Sequence, residues 1–123
     1  MTSIEVGTGT HLLVEFHRCA NAALLSDTGL LKACMHRVIR QSGLTPVGDL
    51  FHKFEGEGGI TGIVLLAESH VAIHTWPERD GFLTMDIFAC NMTCDNEPKS
   101  QRALDLFREA FRPGTENSRT VYR

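Results

Sequence analysis

The chain has no long apolar run, few aromatic residues and little charge imbalance. Aromatics make up 7%, with one tryptophan and one tyrosine, and there are four prolines. No segment approaches the ~18 consecutive apolar residues that a membrane-spanning helix needs. Residues 1–10 are polar and glycine-rich, so no secretory leader is read there. The net charge is -3, with acids and bases interspersed. That balance points away from a nucleic-acid partner and from a membrane surface. The four cysteines, Cys19, Cys34, Cys90 and Cys94, contain no C-x-x-C pair. They are read as free thiols of a cytoplasmic protein. Cys90 and Cys94 lack a second Cys/His pair at zinc-finger spacing.

What is present fits one globular domain over residues 1–123. Hydrophobic residues are 42% and charged residues 22% of the chain. This is enough for a modest core and too much apolar content for disorder. His11–Phe16 reads as a strand. Leu31, Cys34, Met35, Val38 and Ile39 recur at helical spacing, with Asp27 or Thr28 as cap and Gly43 at the stop. Strands are expected at Thr45–Phe54 and Ile60–Ala67, around a Glu/Gly turn at 55–59. A short β-prone stretch, Val71–Thr75, precedes Pro77 and a turn at Arg79-Asp80-Gly81. Phe82–Cys90 alternates as a strand. A second helix runs from Pro98 to Arg112, with Ala103, Phe107, Ala110 and Phe111 on its apolar face. Thr120–Tyr122 is an edge-strand candidate.

The order β-α-β-β-β-α-β predicts an α+β two-layer sandwich, an antiparallel sheet with two helices on one face. The other face would be uncovered. In a small protein such a face is expected to form a dimer interface.

Chemistry concentrates in Glu68-Ser69-His70-Val71-Ala72-Ile73-His74-Thr75-Trp76-Pro77-Glu78. His70 and His74 have the spacing of a helical zinc pair, but Val-Ala-Ile between them and the following proline favour extended backbone. Two such rings stand ~13 Å apart at ~3.3 Å per residue, too far to share a metal ion. Ser69 lacks the G-x-S-x-G elbow of a hydrolase nucleophile.

The stretch Leu66 to Glu78 resembles the self-cleavage and active-site motif of the small prokaryotic S-adenosylmethionine decarboxylases. His11–Phe16, Phe51-His52-Lys53-Phe54 with its glycine-rich turn, and Asp86-Ile87-Phe88-Ala89-Cys90 resemble further family segments in the same order. The resemblance covers about residues 9 to 95.

It implies a proenzyme that makes its own cofactor. Ser69 would attack the Glu68 carbonyl and eliminate it as a carboxylate. Hydrolysis would then leave a pyruvoyl group at position 69, able to form a Schiff base with substrate. The chain would split into residues 1–68 and 69–123. By the same resemblance His74 is the processing base, Thr61 stands where the family usually has a processing serine, and Cys90 is the proton donor. Phe54 and Trp76 are candidate adenine platforms, and Glu78 is the ribose ligand. The implied substrate is S-adenosylmethionine, and the product would be the aminopropyl donor for spermidine synthesis.

On a regular strand Ser69 and His74 point opposite ways, ~16 Å apart. The resemblance implies that the site is shared in a homodimer. Ser69 and Cys90 would come from one protomer, and Thr61, His74, Phe54 and Glu78 from the other. Phe51, Phe82 and Phe88 are expected in the core, and His70 is read as structural or as a local hydrogen-bond partner.

Some positions depart from the family pattern: Ala67, the Arg-Asp-Gly loop after Glu78, Asn91 after Cys90, and Thr61. The first three keep open arginine or ornithine as substrate on the same scaffold. Thr61 keeps open an unprocessed regulatory or binding paralogue.

Overall fold

The computed structural model describes residues 8–123. Most of the stretch read for a leader, residues 1–7, lies outside them. Strand β1 (Gly9–His17) leads into a single helical turn, α1 (Ala23–Ser26), and a long helix, α2 (Thr28–Ser42). Four strands follow: β2 (Pro46–Lys53), β3 (Ile60–Leu66), β4 (Ser69–Trp76) and β5 (Phe82–Cys90). Helix α3 (Glu97–Phe111) and strand β6 (Thr115–Tyr122) complete the chain. The sheet order is β2-β3-β4-β5-β1-β6, antiparallel throughout.

Local chemistry explains the helix limits. Asp27 accepts a hydrogen bond from the Leu30 N–H at 3.0 Å and caps α2. Gly43 ends it in the left-handed conformation, φ +95°, which a side chain would resist. Helix α3 has proline in its first turn, where a missing N–H costs nothing.

The sheet has two unlike faces because strand side chains alternate. Leu12, Val14, Phe16, Val71, Ile73, Leu83, Met85 and Ile87 are buried on the helix side. They meet Leu31, Met35, Val38 and Ile39 of α2 and Ala103, Leu104, Phe107 and Phe111 of α3. Truncating a fully buried ring such as Phe107 would cost about 3–5 kcal/mol. Thr75 is buried on the same side and ties α1 to the sheet. Its hydroxyl donates to the Leu25 carbonyl and accepts from the Ile60 N–H, both at 2.8 Å.

Among the described residues nothing covers the opposite face, and the cross-strand register orders it into rows. One row reads His52, Thr61, His74, Thr84, Glu15, Asn117. The next reads Leu50, Ile63, Ala72, Asp86, Leu13, Arg119. A third reads Leu65, His70, Phe88, His11, Val121. Two expectations are corrected here. Phe82 and Phe88 belong to this open face, not to the core, because they share parity with Thr84 and Asp86. Only Phe51 packs against the core, with its ring over Gly62.

Candidate active site

The Glu68–Ser69 peptide bond lies at the first residue of β4, two residues earlier than the β-prone stretch begins. It is held from three directions. The Glu68 carboxylate accepts from the Thr45 N–H and from the Thr45 hydroxyl, each at 3.0 Å. The Ala67 N–H donates to the Thr45 carbonyl at 2.9 Å. The Cys90 N–H donates to the Glu68 carbonyl oxygen at 2.7 Å. A donor on this oxygen draws electron density from the carbonyl carbon and would stabilise an oxyanion formed there.

Ser69 is half-buried, and its hydroxyl lies 3.4 Å from His70 Nδ1, at the long end for a hydrogen bond. The His70 pKa is lowered, chiefly by burial and then by the neighbouring His11, while the Asp86 carboxylate acts in the opposite direction. The ring is therefore kept neutral, able to take a proton. His11 and His70 flank the Phe88 ring, with centroids 5.4 and 5.8 Å away. His11 Nε2 is 3.4 Å from Asp86 Oδ1, yet it is buried without hydrogen-bond geometry.

Cys90 is half-buried at the end of β5 and pairs in register with Gly9. A side chain at Gly9 would run into the Phe88 ring, 2.6 Å from the position of its Cβ. Glycine thus lets β1 close up beside Cys90. The other thiols differ. Burial pushes Cys19 up to about 11 and raises Cys34 as well, which holds both protonated and inert. Cys94 is exposed.

The remaining predicted residues gather at the other end of β4. Thr61 and His74 are register partners, with the Thr61 hydroxyl 3.1 Å from His74 Nδ1. Trp76 lies beyond, its ring 6.1 Å from His74 and stacked on Phe82 at 5.3 Å. His17 continues the series, 4.9 Å from Phe82. Phe54 is 48% exposed just after β2, edge-on to His52 at 4.7 Å. Lys53 fastens this turn by donating to the carbonyls of Phe54 and Gly58 at 2.8 and 2.7 Å. Glu78 is exposed in the turn that follows Trp76.

Glu68, Ser69 and Cys90 therefore form one group, and Thr61, His74, Trp76 and Phe54 another. Within one chain they are separated by the rows of His70 and of Ala72. The family model described as S-adenosylmethionine decarboxylase matches residues 10–123. The chain belongs to the S-adenosylmethionine decarboxylase family. It is 38% identical over 105 residues to the S-adenosylmethionine decarboxylase proenzyme of Archaeoglobus fulgidus, covering 85% of this chain and 88% of that one. It is 32% identical over 114 residues to the proenzyme of Acetivibrio thermocellus, covering 93% and 90%. The crystal structure of the adenosylmethionine decarboxylase from Aquifex aeolicus superposes with a TM-score of 0.84 at 26% identity, covering 95% of this chain and 91% of that one.

Sequence reasoning missed three features of this family member. One is the Cys90 N–H, since a backbone donor has no residue signature. Another is that His70, expected only to be structural or a local hydrogen-bond partner, has Ser69 itself as that partner. The third is that His11, His17, His52, His70 and His74, five of the six histidines, share the open face. Strand parity contained that last signal, once the strands and their register were known.

Proposed function

We propose that this chain splits itself at Glu68–Ser69 and then decarboxylates S-adenosylmethionine, with each site built from two protomers. The observation that carries this reading is the Cys90 N–H aimed at the carbonyl of the Glu68–Ser69 bond, beside the Ser69 hydroxyl.

The residues fit a pyruvoyl group made in place. Ser69 supplies the hydroxyl, the Glu68 carbonyl is polarised, and the bond lies at the end of a strand instead of in the core. In the first step Ser69 Oγ bonds to the Glu68 carbonyl carbon and the peptide C–N bond breaks. The hydroxyl proton passes through neutral His70 to the departing nitrogen, and the Cys90 N–H stabilises the oxyanion. In the second step His74 removes the Ser69 α-proton, the Ser69 Cβ–Oγ bond breaks, and Glu68 leaves as a main-chain carboxylate. In the tautomer whose Nδ1–H donates to the Thr61 hydroxyl, His74 Nε2 keeps its lone pair for this task. Hydrolysis with loss of ammonia completes the group. Once formed, a pyruvoyl carbonyl supplies the electron sink that decarboxylation requires.

The chain's own residues do the rest. The Cys90 thiol holds the proton destined for the substrate Cα. Phe54 and Trp76 offer aromatic faces to the adenine and to the sulfonium charge. Glu78 accepts hydrogen bonds from the ribose hydroxyls. Thr61 supports processing, because it keeps the hydroxyl that contacts His74.

The open face favours a homodimer. Leu50 is 73% and Leu65 48% exposed, and both lie in rows with Ile63, Ala72 and Phe88. Apolar surface of this extent on a sheet face calls for cover, and a second copy would bring the His74 group of one chain to the Ser69 group of the other.

Intact mass spectrometry and release of 14CO2 test the reading together. The purified chain should appear as fragments 1–68 and 69–123 and release label from S-adenosylmethionine. Ser69→Ala should remain whole and inactive. A wild-type chain that stays whole, or label released from arginine or ornithine and not from S-adenosylmethionine, would overturn it.

A further inference from the structure

Asn96 occupies the N-cap position of α3, where an asparagine side chain ordinarily accepts from the first amides of its helix. Here it makes no capping bond. It is 2% exposed, and its amide turns toward the end of β5. Asn96 Nδ2 donates to the Cys90 carbonyl at 2.6 Å, and Oδ1 accepts from the Cys94 thiol at 3.4 Å. The Asn96 N–H donates to Asn91 Oδ1 at 2.9 Å. Asn91 Nδ2 donates in turn to the hydroxyl of Thr10, a fully buried residue of β1, at 2.8 Å. The Asn91 N–H donates to the Thr8 carbonyl at 2.7 Å.

Two amide side chains thus bracket Cys90 between α3 and β1. An amide sacrificed from capping is a local cost, which argues that it is spent on position. The residue being held carries both the N–H on the Glu68 carbonyl and the thiol. We propose that Asn91 and Asn96 are positioning residues that keep the Cys90 N–H on the Glu68 carbonyl and so set the rate of the first step of chain splitting. The proposal rests on the self-cleavage reading above and adds a control that the Ser69 motif does not contain.

Asn96→Asp separates positioning from capping. Aspartate caps a helix as well as asparagine does, but its carboxylate presents oxygen to the Cys90 carbonyl in place of a donor. The full-length chain, this variant, Asn91→Gly, His74→Ala and the Asn96→Asp/His74→Ala double variant would be made by cell-free translation. Each would be followed by intact mass and by hydroxylamine, which cleaves an ester but spares a peptide bond. Asn96→Asp should split about tenfold more slowly than the wild type, the scale of one strong buried hydrogen bond, with its urea midpoint retained. In the His74→Ala background, where the ester accumulates, it should slow the ester's appearance by the same factor.

Splitting of Asn96→Asp at the wild-type rate would overturn the proposal. So would slow splitting with normal ester formation, which puts the defect after the first step. If Asn96→Asp loses its unfolding transition, Asn91→Gly carries the test alone. That variant leaves Asn96 Nδ2 in place to donate to the Cys90 carbonyl but loses the Asn91 side-chain bonds to Thr10 and to the Asn96 N–H, so ester formation should slow about threefold. An unchanged rate would overturn the proposal. A wild-type chain that stays whole would instead bring down the self-cleavage reading itself.

Discussion

At the start of β4 the reactive groups are held largely by main-chain hydrogen bonds. Cys90 N–H, Thr45 N–H and the Thr45 carbonyl fix the Glu68–Ser69 bond, while Asn91 and Asn96 fix Cys90. At the end of β4 the reactive groups are side chains on display. His74 leans on Thr61, Trp76 stacks on Phe82, and Phe54 projects from a turn that Lys53 ties down. The first end is an electrophile set in backbone. The second is a set of rings facing outward. Each end lacks what the other has, and ~16 Å of strand keeps them apart within one chain. The difference teaches that fold stability and catalytic completeness are separate here. On the proposed reading, one chain folds around a full core yet holds two half-sites.

The largest break in this comparison should come from Ile63→Glu, at a centre row of the open face and away from both ends. A charge buried in an apolar interface carries a penalty of several kcal/mol. The variant should sediment as a monomer and should neither split nor decarboxylate, although Ser69, Cys90 and His74 are all intact. A monomer that still splits would show that one chain suffices.

Next comes the display end. His74→Ala should slow completion of splitting by about 100-fold or more, the usual scale of a lost general base. The stalled chain should be cut by hydroxylamine at Glu68–Ser69. An intact chain resistant to hydroxylamine would move His74 out of the second step.

A smaller effect belongs to His70. His70→Asn should slow splitting about 5-fold, less than the loss of His74, because half-buried Ser69 can pass its proton to water and what is lost is one net hydrogen bond of ~1 kcal/mol. The pH dependence is more telling. Burial and His11 lower the His70 pKa, so the folded chain binds fewer protons here than the unfolded one as pH falls below the usual histidine range. This contribution to stability is present above that range and is lost as pH falls through it. Followed as ester formation in the His74→Ala background, the first step should hold its rate as pH falls below ~6.5 and decline only at lower pH, and adding His70→Asn should remove that decline. An unchanged pH profile would assign the hydroxyl proton to another acceptor.

Much of this was legible in the chain. The helical face from Leu31 to Ile39 is buried as its spacing predicts, and Gly43 stops α2 as expected. Leu83, Met85 and Ile87 alternate into the core. Helix α1 left no trace, because four residues carry no period. Strand β6 begins at Thr115, earlier than expected, since all eight of its residues are exposed and alternate in nothing. Its place is set by backbone pairing with β1. The motif at Glu68–Glu78 named the candidate site, with Thr61, Cys90 and Phe54 beside it. What it could not announce were the donors without side-chain identity, such as the Cys90 N–H, and the Asn91–Asn96 bracket, which depends on where a loop folds back.

The central claim, two half-sites completed by a second copy, is tested most directly by mixing two dead chains. Ser69→Ala and His74→Ala would be unfolded together, refolded and assayed for splitting and for 14CO2 release from S-adenosylmethionine. Each alone should be inactive. Random pairing gives hybrids in half of the dimers, each with one whole site of two, so activity should return to roughly a quarter of the wild type. A mixture as inactive as its components, with hybrids present by native mass spectrometry, would contradict the account.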